Sequence, residues 1–374
     1  MTGRPSTLRV AARAGRRLIP VAVGVVLWSA VAAPPAGAHD AVGAGTPSSN
    51  YRVEVVSAPE VDGLRFRVGE AGTRMELTNT SSDEVVVLDY DGNPYLRVGR
   101  GGVVENTNST AAYLNDALEP TSDVPEGVGE GAPEWRRVSD GPTAVWHDHR
   151  AHWMTDDPAA VRGDPSRVHQ VATWDIPLEI DGRVENVSGR IVWVPPPVAW
   201  QWWVVAALVA VAATAGLLAF PTGGLVAVWA LSTVAFGLHV LGVWADSVEP
   251  AREKLPVVAL PVLAVALFGA AAWTSRRNRR DAAGMAAGAA AVTLLLTAAG
   301  AGGWLSSSQV PTALDPDVAR SVVVVLLGAS AGTLVWSVIV LVSSRVGSRS
   351  APNWLSQHPA RTGNVTAGWA EEGS

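Results

Sequence analysis

The segment Trp146–Met154, WHDHRAHWM, gathers His147, His149 and His152, three of the chain's seven histidines, and ends on a methionine. Neutral imidazole ligates copper, zinc or nickel, and thioether sulfur adds a preference for Cu(I). His147, His149 and His152 are therefore candidate metal ligands, with Met154 a further one; copper is the first expectation and zinc the second. His147 and His149 are two residues apart, so on a strand both side chains leave the same face. His152 and Met154 would leave the opposite face unless the strand ends near Arg150. A site using all of them requires a bend or a hairpin. The competing expectation is a Trp-rich strand whose histidines hydrogen-bond to Asp148, Asp156 or Asp157.

Processing would add a fourth imidazole. Arg4, Arg9, Arg13, Arg16 and Arg17 precede the apolar run LIPVAVGVVLWSAVAA, and Ala36-Gly37-Ala38 follows two prolines. This is the layout of a secretory signal peptide over residues 1–38. Cleavage after Ala38 would make His39 the amino terminus, offering an amine and an imidazole together. A mature chain that begins with His and continues into a β-sandwich resembles the CopC-type periplasmic copper carriers. That resemblance implies a copper cofactor, a second ligand set of the Asp-x-His kind, and a copper carrier or other envelope protein as partner. Here Asp148-His149 lacks the intervening residue, and a linker follows His39 where those carriers enter a strand. The DYDGNPYLRV and His-rich segments together are similar to a group of actinobacterial membrane proteins.

Three other motifs read differently. DYDGN, Asp89 to Asn93, opens with the acid spacing of a calcium loop. Gly92 comes two positions early, however, and Arg100 stands where the bidentate Glu belongs. A hairpin turn on Asp91-Gly92 fits better. GASAG, Gly328 to Gly332, matches a serine-hydrolase elbow only in letters, since it sits in an apolar helical run. It reads instead as a small-xxx-small packing face, repeated at Gly284 and Gly288. His239 falls near the end of an apolar segment, where an ionisable residue is a functional candidate or an interfacial side chain. No nucleophile–base pair is evident, so an enzyme is not expected.

The elements that must position these residues divide the chain. Residues 39–50 are a Gly/Ser/Pro linker. Over 51–197 short runs alternate with period two: YRVEVV, LRFRV, RMEL, EVVVL, PYLRV, TAVWH, VHQVATW and GRIVWV. Asp91-Gly92, Gly101-Gly102, Asp140-Gly141 and Asp181-Gly182 punctuate them, and this pattern predicts a β-sandwich. Asn115–Glu134 reads as a long loop. After Pro195-Pro196-Pro197, a stiff spacer, come five apolar runs long enough to span a bilayer: Ala199–Phe220, Gly223–Val243, Leu255–Trp273, Ala283–Trp304 and Ser321–Ser343. The expected fold is thus an all-β extracytoplasmic domain on a bundle of five transmembrane helices over 198–343, with a cytoplasmic tail over 344–374.

Charge gives the orientation. Arg276, Arg277, Arg279 and Arg280 follow the third run, and Arg345, Arg349 and Arg361 follow the fifth. The positive-inside rule puts both groups in the cytoplasm and the β-domain outside the plasma membrane. Trp200, Trp202, Trp203, Trp244 and Trp304 then line the outer interface and Trp273 the inner one, in contact with membrane lipid. Between His39 and Val198 there are 26 Asp/Glu against 13 Lys/Arg, a balance that repels phosphate and excludes nucleic acid as a partner. The chain has no cysteine, so disulfides, thiolate metal sites and cysteine catalysis are excluded. Lys254 is its only lysine, a composition suited to a high-GC bacterium. The function these features predict is extracytoplasmic metal handling; the alternative is an envelope interaction or assembly protein without metal.

Overall fold

The computed structural model describes residues 48–116, 123–248 and 251–349. The expected signal peptide, the candidate ligand His39 and the end of the tail lie outside the described residues. The N-terminal half holds ten strands: β1 (Tyr51–Ser57), β2 (Leu64–Gly69), β3 (Arg74–Asn79), β4 (Val85–Leu88), β5 (Pro94–Gly99), β6 (Gly102–Asn106), β7 (Trp135–Ser139), β8 (Thr143–Trp146), β9 (His169–Ile180) and β10 (Arg183–Trp193). They form a seven-stranded sheet in the order β1-β10-β9-β4-β5-β6-β7 and a three-stranded sheet in the order β2-β3-β8. Every pairing is antiparallel.

Local chemistry sets the register. In β3, Met75, Leu77 and Asn79 are buried while their neighbours are half-buried, the period expected of a strand with one core face. Asp181 and Gly182 have φ values of 49° and 70°, and Ile180 pairs with Arg183. A two-residue turn with both φ positive matches the twist of the strands it joins. Met75, Leu77 and Trp146 from the small sheet share one core with Val85, Val87, Ile176 and Leu178 from the large one. Burying each such side chain contributes about 1.5–3 kcal/mol, and in a cysteine-free domain this core is what holds the sheets together. Strands β6 and β7 escape the sequence reading, β7 because most of its residues are exposed at a sheet edge.

Five helices follow: α1 (Ala199–Ala219), α2 (Pro221–Asp246), α3 (Ala251–Arg276), α4 (Arg280–Gly300) and α5 (Pro316–Arg349). Among the described residues four of them, α1, α2, α4 and α5, are long and apolar enough to cross a membrane. The remaining expected span, Leu255–Trp273, coincides with α3, in which the side chains of 251–257 and 260 fall outside the described residues. Val204, Leu208, Val234 and Leu241 point outward and are exposed, as side chains that face lipid do. The GASAG residues pack as the spacing predicts. A Cβ on Gly328 would lie 2.6 Å from the carbonyl oxygen of Ala206, and one on Gly332 would meet that of Ala210. Gly284 and Gly288 face Val340 and Ser337 of α5 in the same way. Trp304, expected in the outer aromatic belt, is instead 6% exposed and packs inside the bundle.

The β-domain rests on the loops at one end of these helices. Ser49 and Gln309 exchange two backbone hydrogen bonds of 3.0 and 2.8 Å, and the backbone N–H of Ser308 donates to Asn50 Oδ1 at 2.9 Å. Asp246 Oδ2 accepts from the Glu70 N–H at 3.1 Å. Glu70 Oε1 in turn accepts from Ser247 Oγ and from the Val248 N–H, each at 3.1 Å. The cysteine-free background makes this contact easy to test, because the Oγ atoms of Ser48 and Ser307 are 3.0 Å apart and a disulfide spans Cβ atoms about 3.5–4.5 Å apart. In the Ser48→Cys, Ser307→Cys double variant, mild oxidation should link the two positions, read by mass spectrometry of a non-reduced digest. Two thiols left free would place the 48–50 segment elsewhere.

Candidate metal centre

Strand β8 stops at Trp146 because of Asp148. The Asp148 side chain is fully buried; Oδ2 accepts from Trp146 Nε1 at 3.0 Å, and Oδ1 accepts from the Arg150 backbone N–H at 3.1 Å. It thereby caps a single 3-10 turn, His149–Ala151, much as a helix N-cap does. The Arg150 guanidinium closes on the same carboxylate at 2.8 and 2.9 Å. It also donates to the carbonyls of Leu88 and Asp89 and lies 4.9 Å above the Tyr90 ring. The bend that the sequence requires is this turn. His147 and His149 therefore do not share a strand face; they meet across the turn.

The three imidazoles touch. The His147 ring centroid is 4.7 Å from that of His149 and 5.0 Å from that of His152, both pairs edge to face. His147 Nδ1 lies 2.6 Å from the carbonyl oxygen of Thr73, which can only accept, so Nδ1 carries the proton. Its Nε2, buried and without a hydrogen-bond partner, then presents a lone pair. His149 is held from both sides of its ring: Nε2 donates to the Leu114 carbonyl at 2.7 Å, and Nδ1 makes a hydrogen-bond contact of 2.6 Å with Met154 Sδ. Leu114 ends a short helical turn, Ala111–Leu114, whose last carbonyls have no partner within the turn. His152 Nδ1 is also buried without a partner. A ring nitrogen tied to a carbonyl while the other is left bare is the arrangement found in metal-bound histidine.

None of the histidines takes the carboxylate partners considered from sequence. Asp148 is occupied as described, and Asp157 Oδ1 accepts from the Tyr51 hydroxyl at 2.5 Å. Asp89 accepts from the N–H groups of Asp91 and Asn93 and from Ser109 Oγ, which makes DYDGN the β4–β5 hairpin turn. Among the described residues, no three His, Asp or Glu side chains stand as a ready ion-binding group. The donors that do meet are imidazoles and a thioether. His239 is not part of the cluster: it is on α2, its ring 5.0 Å from that of Trp304, with Nδ1 buried and unpartnered. His169 bonds to the Asp164 carbonyl. Sequence reasoning missed Thr73 and Leu114, whose roles are played by backbone carbonyls that carry no residue signature, and Arg150, which reads as one more surface charge.

Compared with family models, curated proteins and solved structures, the chain matches none.

Burial holds the His147 imidazole neutral, its pKa lowered to about 4, and the neighbouring His152 and His149 rings add to that effect. Burial likewise lowers His152. In the unfolded chain a histidine titrates near its ordinary value, about 6.5. Between these values the unfolded chain binds more protons than the native one, so stability increases with pH and is lost as pH falls from 6.5 toward 4. For His147 the loss is on the order of 3 kcal/mol at full extent. Thermal unfolding of the metal-free protein followed by tryptophan fluorescence should show this slope, and His147→Gln should flatten it. Equal slopes in the two proteins would mean that His147 is not held neutral.

Proposed function

We propose that this chain is a plasma-membrane protein that binds and hands on a metal ion, copper foremost, in an extracytoplasmic β-domain carried by five transmembrane helices. The observation behind the metal reading is the pair of buried ring nitrogens left without a partner, His147 Nε2 and His152 Nδ1. Imidazoles also stack edge to face at this separation without an ion, but stacking alone gives no reason to bury unpaired lone pairs, each costing about 1–3 kcal/mol. The ring spacing suits a shared ion. With metal–nitrogen bonds of about 2.0–2.1 Å the ion sits roughly 3.1 Å from each centroid, so two rings roughly at right angles to tetrahedral about it lie about 4.5–5 Å apart. The partial exposure of His149, His152 and Met154 leaves a way in and out, as a protein that transfers its ion needs.

Binding is the direct test. Purified full-length protein in detergent, mixed with Cu(II) or Zn(II), should retain about one ion per chain, and His147→Ala and His149→Ala should each weaken retention by more than about tenfold. His169→Ala, outside the cluster, serves as the control. If no metal is held at micromolar concentration, the envelope interaction reading takes its place.

The orientation rests on the arginines after α3 and α5 and on the docking of the β-domain at the opposite helix ends. Single cysteines at Ala313 and Asn278, both exposed, separate the two sides. In intact cells a membrane-impermeant maleimide should label Ala313→Cys, and Asn278→Cys only after permeabilisation. The reverse pattern would invert the topology and put the β-domain in the cytoplasm.

A further inference from the structure

We propose that the turn joining β2 to β3, residues 70–73, is a two-state coupling between the end of α2 and the imidazole of His147, so that whatever loosens one loosens the other. The proposal does not depend on a metal ion. Its first support is the backbone. Glu70, Ala71 and Gly72 have φ values of 54°, 55° and 97°, whereas left-handed residues ordinarily occur singly and are mostly glycine. Two L side chains are thus held against their own preference, and the turn has a relaxed alternative that it takes when its contacts fail. The relaxation is local, because Gly69 pairs with Arg74 and Met75 with Trp146 on the ladder beneath it.

Two grips, one from each half of the protein, oppose that relaxation. On the membrane side the Glu70 N–H donates to Asp246 Oδ2, and Glu70 Oε1 accepts from Ser247 Oγ and the Val248 N–H, each at 3.1 Å. On the other side His147 Nδ1 donates to the Thr73 carbonyl at 2.6 Å. Within the turn the Glu70 carbonyl accepts from the Thr73 N–H at 3.2 Å and from its hydroxyl at 2.9 Å, so Glu70 and Thr73 move as one piece. Strain at two non-glycine residues is of the same size as about one or two such hydrogen bonds. Neither grip is therefore in large excess, and removing one tips the turn and releases the partner of the other. Because α2 is continuous from Pro221 to Asp246, a displacement of its end is passed along a rigid element into the bundle. Linkage makes the coupling reciprocal, so it runs from the imidazole to the helix and back.

The test is hydrogen–deuterium exchange of the full-length protein in detergent, read peptide by peptide by mass spectrometry. His147→Leu removes the donor to Thr73 and leaves an apolar side chain in its place. Amide exchange at Glu70 and over 246–248 should then rise at least about fivefold, while residues 176–180 of β9 stay protected. Asp246→Ala cuts the opposite grip, and exchange over 150–152, the turn after β8, should rise by a similar factor. Ala71→Gly separates coupling through the turn from general loosening, because glycine takes a φ of 55° without strain and the change touches neither grip. In that background both effects should shrink to less than about twofold. Exchange that rises only in the half carrying the substitution, or that spreads undiminished with Ala71→Gly present, would overturn the proposal. Should His147→Leu leave β9 unprotected, the Asp246→Ala arm decides by the same two outcomes.

Discussion

One buried carboxylate organises the centre. Asp148 has no exposed side-chain surface, and it receives the Trp146 indole N–H, the Arg150 backbone N–H and the Arg150 guanidinium. A buried ion pair of this kind is weak evidence for stability, since desolvation offsets most of the attraction. Its effect is on shape. By accepting the Arg150 N–H, Asp148 caps the turn that follows β8 and curls the chain away from the strand direction. The histidines that follow are brought onto one another because the chain can no longer alternate faces. Arg150, drawn inward by the same carboxylate, ties the turn to the β4–β5 hairpin through Leu88 and Asp89.

The turn that anchors His147 also joins the two halves of the protein. Glu70 and Ala71 adopt left-handed φ values of 54° and 55°, a conformation that costs a non-glycine residue about 1–2 kcal/mol. Their surroundings hold them there. The Glu70 N–H and carboxylate are bound to Asp246, Ser247 and Val248 at the end of α2. The Glu70 carbonyl accepts from both the N–H and the hydroxyl of Thr73. The Thr73 carbonyl is thereby aimed at His147. A strained four-residue turn thus has the membrane helices on one side and the imidazole cluster on the other. Strain of this sort persists where several contacts fix it together, and here those contacts come from both domains.

The membrane half is built on a simpler rule. Between apolar helices there is little hydrophobic gain in lipid, so close approach and dispersion decide the packing. Gly328 and Gly332 let α1 come against α5, and Gly284 and Gly288 do the same for α4. Thr214 Oγ1 adds a hydrogen bond to the Gly332 carbonyl at 3.1 Å. The glycine spacing is therefore architectural, and the resemblance of GASAG to a hydrolase elbow is one of letters only.

The two-residue alternation, the Gly-containing turns and the long apolar runs were enough, from sequence alone, for the β-rich domain, all of its strands but β6 and β7, and the helical half. These are local properties: period, turn chemistry and hydropathy are written in neighbouring residues. The histidine cluster was legible as a composition but not as a site. Whether His147, His149 and His152 meet depends on Asp148 choosing Trp146 and Arg150 as partners over the histidines, and no spacing rule expresses that choice. Which nitrogen of His147 is bare depends on the carbonyl of Thr73, and the set of the His149 ring on that of Leu114, brought from 74 and 35 residues away. A backbone carbonyl is the same in every residue type, so its position is a tertiary fact. The same holds for Trp304, which reads as an interfacial belt residue and is instead buried against His239, because the 3-10 turn Gly302–Leu305 after α4 folds it inward. Residue types fix what kinds of atoms this protein can offer a ligand; which of them are turned toward one another and which are already bound follows from the fold, because that outcome depends on competition among partners far apart in the chain.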